Sequence, residues 1–168
     1  MEPSVGPVER DALKRLLSEA RRATRAEAGT VYLREGDQLC FAAVQNDVLA
    51  QRVGAAEAEG RLTAGPLDLS MPSLASYVML TRAVVNVPDV YEIGLERPYE
   101  FDRRMDATHD YRTRSMLVMP LRDGRGTTVG VVQLINARNE AGEVVAFDAG
   151  CEDRLAALLT GFAKAGGS

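Results

Sequence analysis

Apolar residues recur at spacings of three and four from Val8 to about Ala28. Leu13, Leu16, Leu17 and Ala20 fall on one face and charged residues fill the other. That period is helical, and Gly29 is placed to stop the helix. The period then shortens. Thr30–Leu33 and Leu39–Val44 read as paired strands around a turn at 34–38. Residues 47–66 carry no clear period and are bounded by Gly54, Gly60 and Gly65-Pro66, which predicts an elaborated loop with at most a helical turn at 55–59. Leu67–Leu69 reads as a short edge strand. Pro72 or Ser73 opens a helix with Leu74, Ala75, Val78 and Thr81 on one side. Ala83–Val87 is a strand broken by Pro88. Residues 89–112 are polar and irregular, with short helical pieces expected around 99–105. A basic, hydroxyl-rich lead-in, Tyr111-Arg112-Thr113-Arg114-Ser115, enters an apolar strand expected to stop at Pro120. A Gly-containing turn at 122–126 reverses the chain into Val129–Asn136. A last helix runs from Asp148, an N-cap, to Lys164, with Leu155, Leu158, Leu159 and Phe162 as its stripe.

The order helix, strands, helix, irregular segment, strands, helix predicts an α+β fold. A central antiparallel sheet of about six strands has its N- and C-terminal helices on one face. The segments 45–77 and 89–114 lie on the other, where long irregular chain over a rigid sheet builds binding sites. Residues 1–9 read as a disordered lead, 10–165 as a single domain and 166–168 as a tail. The 168 residues suffice for one full core. A net charge of −4 argues against nonspecific nucleic-acid binding, which depends on cation–phosphate contacts. The two cysteines, Cys40 and Cys151, make neither a disulfide framework nor a metal spacing. The N-terminus has no signal-peptide core and no apolar run spans a bilayer, so a cytoplasmic module free of the membrane is expected.

Five segments in this order carry a resemblance to the GAF domain family: Gly29–Leu33, Leu74–Val78, Val85–Tyr91, Tyr111–Leu121 and Gly130–Asn136. The chain is most similar to the regulatory GAF domains of cyclic-nucleotide phosphodiesterases and bacterial adenylyl cyclases, and to those fused to bacterial cyclic-di-nucleotide hydrolase modules. The resemblance covers about residues 10–163. It implies the fold above and a small-molecule-binding regulatory module in signal transduction, without catalysis of its own. Cyclic-nucleotide-binding members carry an Asn-Lys…Phe-x-x-x-Asp-Glu signature. Here Asn136, Phe147 and Glu152 are kept, while Ala137 and Cys151 replace the lysine and aspartate that form a salt bridge. Losing both leaves no orphaned buried charge, whereas losing one costs several kcal/mol, by a rough estimate.

The resemblance also implies a site. Leu74 and Ala75 offer backbone amides to a phosphate at a helix N-terminus. Asp106, His109 and Thr113 share a face if their stretch is helical, and lie where the family touches phosphate and sugar. Arg112 is a further candidate for an anion. Thr30, Asn46 and Gln133 map to the base end. Asn46 and Gln133 are amides where guanine-selective members have acidic groups. Gln45 stands where an aromatic stacks on the base. The ligand so implied is a cyclic nucleotide, cAMP or cGMP, with no metal and no resident cofactor. The implied partners are a second copy through the terminal helices and an effector domain. Two other readings stay open: a ligand-free domain that dimerises through those helices, and an enzyme reducing free methionine sulfoxide with clustered cysteines.

Overall fold

The computed structural model describes residues 7–63 and 65–166. The expected lead therefore lies outside the described residues up to residue 6, and the expected tail does so at 167–168. Helix α1 (Pro7–Thr24) takes in residues 7–9. It buries the stripe read from the sequence, with Leu13, Leu16, Leu17 and Ala20 each 5% exposed or less. It stops earlier than expected. Thr24 Oγ1 turns back to donate to the Ala20 carbonyl at 2.8 Å, and Arg25 takes a left-handed φ of 59°. Ala26-Glu27-Ala28, a run of good helix formers, belongs instead to β1 (Ala26–Glu35), where pairing with a neighbouring strand overrides propensity. Gly29 thus sits inside a strand. A Cβ there would lie 2.8 Å from Leu17 Cδ1 and 3.0 Å from the Gln133 carbonyl oxygen. Its role is to let α1 close onto the sheet.

β1 turns at Gly36 into β2 (Gln38–Asn46). The expected loop over 47–66 is instead two helices, α2 (Asp47–Val53) and α3 (Ala55–Leu62). Asn46 caps α2 by accepting from the Leu49 N–H at 3.1 Å, and Gly54, at φ 88°, makes the break between them. β3 (Leu67–Asp68) follows, then α4 (Leu74–Thr81) and β4 (Val85–Val87). Ser73 caps α4 by accepting from the Ser76 N–H at 3.1 Å. The helical piece expected around 99–105 forms later, as α5 (Arg104–His109). A 3₁₀ turn at Val90–Glu92 precedes it. The hairpin is β5 (Met116–Arg122) and β6 (Thr128–Arg138), followed by β7 (Val144–Val145) and α6 (Ala149–Lys164). Asp148 caps α6 as expected, accepting from the Cys151 N–H at 2.8 Å. That contact holds its carboxyl below the ordinary range.

The strands lie in the order β3-β2-β1-β6-β5-β4, antiparallel throughout, with β7 paired to the end of β6. α1 and α6 cover one face. There Leu17, Val31, Leu117, Val132, Leu134 and Leu155 form an apolar layer in which each is fully buried. α4 covers part of the other face through Leu74, Ala75 and Val78, packed on Tyr32, Leu39, Val118 and Val131.

β5 does not stop at Pro120; the strand runs on to Arg122, with Pro120 opposite Val131. The Ser115 carbonyl accepts from Asn136 N, so odd-numbered backbone groups of β5 point to β6 and even-numbered ones point away. β4 covers that outer side only as far as Val118. Pro120 therefore lacks an N–H where no strand needs one.

Candidate functional site

The second face of the sheet floors a chamber of about 320 Å³. Side chains alternate along a strand, so Ala28, Thr30 and Tyr32 of β1 reach it while Gly29 and Val31 meet the helices. Val44 and Asn46 of β2, Met116 of β5, and Gln133 and Ile135 of β6 complete the floor. Leu49 of α2, Leu62 of α3, the start of α4, and Phe101, Met105 and His109 around α5 form walls and roof. A cavity of this size and largely apolar lining suits a small organic molecule.

Two polar features open into it. Ser73, Leu74 and Ala75 line it at the beginning of α4. Ser73 satisfies the Ser76 N–H, and the N–H groups of Leu74 and Ala75 belong to the first turn, which has no intrahelical acceptor. His109 lines it as well, and its Nε2 is buried with no hydrogen-bond partner among the described residues. Among the described residues that line it there is no lysine or arginine; the ionisable ones are Glu100, Asp102, Asp106, His109, Tyr32 and Tyr111. Burial pushes the Tyr32 phenol well up, and a hydrogen bond from Gln133 partly offsets it.

The expected site residues are only partly brought together. Thr30, Asn46, Leu74, Ala75, Asp106, His109, Thr113 and Gln133 line the chamber. Thr30 and Gln133 face each other across β1 and β6. Asn46 spends its Oδ1 on the α2 cap, which leaves its NH₂ as the polar group for any other partner.

Asp106 and Thr113 do not share a helical face, because α5 ends at His109 and Asp110 turns left-handed at φ 47°. They meet each other instead. Asp106 accepts from the Thr113 N–H at 2.8 Å, from Thr113 Oγ1 at 2.7 Å and from the Tyr91 hydroxyl at 2.7 Å. A carboxylate so occupied holds the roof together and has little capacity left for a ligand.

Gln45 departs from its expected role. Gln45 is among the residues lining the chamber, but its side-chain amide is bonded to α1. It accepts from Arg21 Nη1 at 2.7 Å and donates to Ser18 Oγ at 2.9 Å. A bulge shifts the β1–β2 register between Val31 and Tyr32, and this sends Asn46 rather than Gln45 into the chamber. Arg112 departs too, since it does not line the chamber. Its Nη2 bonds both oxygens of Asp89 at 3.0 Å, its Nη1 bonds the Thr113 carbonyl, and its guanidinium lies 3.7 Å from the Tyr91 ring centre. Burial pushes the Asp89 carboxyl up, but the Tyr91 N–H and Arg112 outweigh that and hold it below the ordinary range.

A polar cluster below the roof was missed from the sequence. Asn136, 1% exposed and left-handed at φ 59°, accepts from Arg114 N at 2.7 Å and Ser115 N at 3.2 Å. Its NH₂ donates to Glu27, to the Tyr111 hydroxyl and to the Arg112 carbonyl, each at 3.0 Å. Glu27, 6% exposed, also accepts from Tyr111 and pairs with Arg138 at 2.6 Å. Burial and then the Glu27 contact push the Tyr111 phenol far up, so it stays a donor. Asn136 was singled out only as a kept signature position; its partner Glu27, a lone glutamate between two alanines, was obscured by assigning that stretch to the helix.

The signature positions Ala137 and Cys151 are 3% and 6% exposed and join the apolar layer under the helices. Glu152 accepts from Asn86 Nδ2 at 2.8 Å and so ties α6 to β4. Neither cysteine lines the chamber. Burial and then Glu35 push the Cys40 thiol up to about 11, and burial pushes Cys151 up as well. Neither shift favours the thiolate that sulfoxide reduction uses.

Comparison with known proteins is consistent with this geometry. A sequence model of the GAF domain family matches residues 9–164. Over 66 residues the chain is 35% identical to a dual 3′,5′-cyclic-AMP and -GMP phosphodiesterase 11 of Drosophila melanogaster. That alignment covers 39% of this chain and 4% of the length of that relative. Among solved structures, a GAF domain/HD domain protein of Geobacter sulfurreducens superposes with a TM-score of 0.66 at 15% identity, covering 92% of this chain and 89% of that one. A type II free methionine-R-sulfoxide reductase of Thermoplasma acidophilum superposes with a TM-score of 0.63 at 16% identity, covering 90% and 87%. At such identities these two likenesses concern the fold. Among the described residues no helix is long and apolar enough to cross a membrane.

Proposed function

The chain belongs to the GAF domain family, and from that premise we propose that it is a cytoplasmic sensory module, residues 10–165, whose chamber binds a cyclic nucleotide. The observation that carries the reading is the chamber itself: about 320 Å³ over the sheet, with the first turn of α4 and the unpartnered His109 Nε2 in its wall. The Leu74 and Ala75 amides receive the phosphate, since free N–H groups and the helix dipole favour an anion. His109 donates to a phosphate or ribose oxygen. Thr30, Gln133 and the Asn46 NH₂ meet the base. A lining without lysine or arginine favours a ligand with one negative charge over a polyphosphate. Asp106, Thr113 and Arg112 act indirectly, by holding the roof in place. Binding biases the terminal helices, and through them a second copy and an effector domain.

Calorimetry and thermal shift of the full chain with cAMP and cGMP test the proposal. Binding is expected, and it should weaken about tenfold in His109→Ala, the loss of one charge-assisted or buried hydrogen bond. Absence of heat and of any thermal shift at millimolar ligand would refute the cyclic-nucleotide reading. A second reading, a ligand-free dimerisation domain, is favoured by the apolar Ala137 and Cys151 at the family's ion-pair positions. It requires a dimer in light scattering with the chamber unresponsive to either nucleotide.

A further inference from the structure

Helix α2 touches three parts of the molecule that otherwise lie apart. Leu49, 3% exposed, is part of the chamber wall. At the N-terminal end, Asp47 pairs with Arg21 Nη2 of α1 at 2.5 Å. Arg21 is held in place by three more acceptors: Gln45 Oε1 at 2.7 Å and the carbonyls of Ala26 and Glu27, both at 3.2 Å. At the C-terminal end, Arg52 Nη1 donates to the carbonyls of His109 at 3.1 Å and Asp110 at 2.8 Å. Those carbonyls close α5, and His109 itself lines the chamber. A seven-residue helix is a stiff span of about 10 Å. It therefore cannot absorb a shift at one end without moving the other.

We infer that α2 is the strut by which the chamber acts on α1: the occupant moves Leu49 and His109, and the motion reaches the last turn of α1 through Arg52, α2 and the Asp47–Arg21 pair. The inference rests on the sensory reading above, and it adds the route and the residues of regulation. Coupling of this kind is reciprocal, so each end must respond to a change at the other.

Amide hydrogen exchange on the full chain measures that response, with the exposed substitutions Arg52→Ala and Asp47→Ala. Arg52→Ala is expected to speed exchange at residues 21–24, and Asp47→Ala at 106–111, each by at least about fivefold, the lower end for coupled sites. Arg61→Ala removes an exposed pair with Glu57 inside α3 and should change neither segment. Saturating cAMP is expected to slow residues 21–24 in the wild-type chain and not in Arg52→Ala. Effects confined to the mutated end of α2 would overturn the strut. If neither cAMP nor cGMP alters any amide of the wild-type chain, the ligand reading fails, while the two variants still decide the strut.

Discussion

The two faces of the sheet are built on opposite principles. Under α1 and α6 the contacts are apolar side chains from helix and strand, and the family's charged pair is itself replaced by Ala137 and Cys151. Over the chamber, the roof hangs on directional bonds: Asp106 with three donors, Asn136 with five partners, Arg112 on Asp89 and Tyr91. Apolar packing is non-directional and lost gradually as area is exposed. Hydrogen-bonded hubs hold one geometry and release it together. The helix face is thus suited to bearing load, and the chamber face to having two arrangements.

The strongest test of that contrast places a charge in the dry layer. Ala137→Lys is expected to cost about 3–5 kcal/mol in denaturant unfolding, the penalty of a buried unpaired charge. Adding Cys151→Asp should recover much of it; no recovery would show that the two positions do not face each other. On the chamber side, Asn136→Ala takes the acceptor from the Arg114 amide and from the buried Ser115 amide, and puts alanine at a left-handed φ. A loss of about 3 kcal/mol is expected, with faster exchange in residues 104–115 than in α6. Equal acceleration in both would erase the distinction between the faces.

Gly29→Ala probes how closely α1 approaches. Its Cβ would meet Leu17 and the Gln133 carbonyl, and overpacking of this kind costs about 1–3 kcal/mol. The smallest effect is expected from acid. Asp89 and Asp102 are held below their ordinary value of 3.8 in the folded chain, Asp89 by the Tyr91 N–H and Arg112, Asp102 by Arg104. A depressed folded value stabilises the fold above the unfolded value and ceases to do so as pH falls through the folded one. The roof should therefore loosen below about pH 4, seen as faster exchange around 89–113; the Asp148-capped first turn of α6 responds in the same range, and α1 later.

Local signals were legible in the chain. The stripe of α1, the Asp148 cap and the Ser73 start of α4 depend on residues a few positions apart, and all appear where expected. What was hidden depends on pairing. Ala26-Glu27-Ala28 reads as helix until β6 is beside it. Residues 47–62 read as loop because α2 and α3 each have one fully buried apolar residue, Leu49 and Ala58, and show no stripe. In the site, a single extra residue in β2 exchanged the facings of Gln45 and Asn46, and no count along the strand reveals a bulge. The roof hub at Asp106 joins residues on both sides of a left-handed turn, which helical spacing misdescribes.

Pro120 carries a consequence for crowded solutions. Beyond Val118 the outer margin of β5 has no strand partner, the kind of template on which strands from other molecules add and fibrils grow. A pyrrolidine ring where an amide hydrogen would project denies the incoming chain an anchoring bond. The ring stands where β4 pairing has ended, so this part of the margin is a poor start for self-templating.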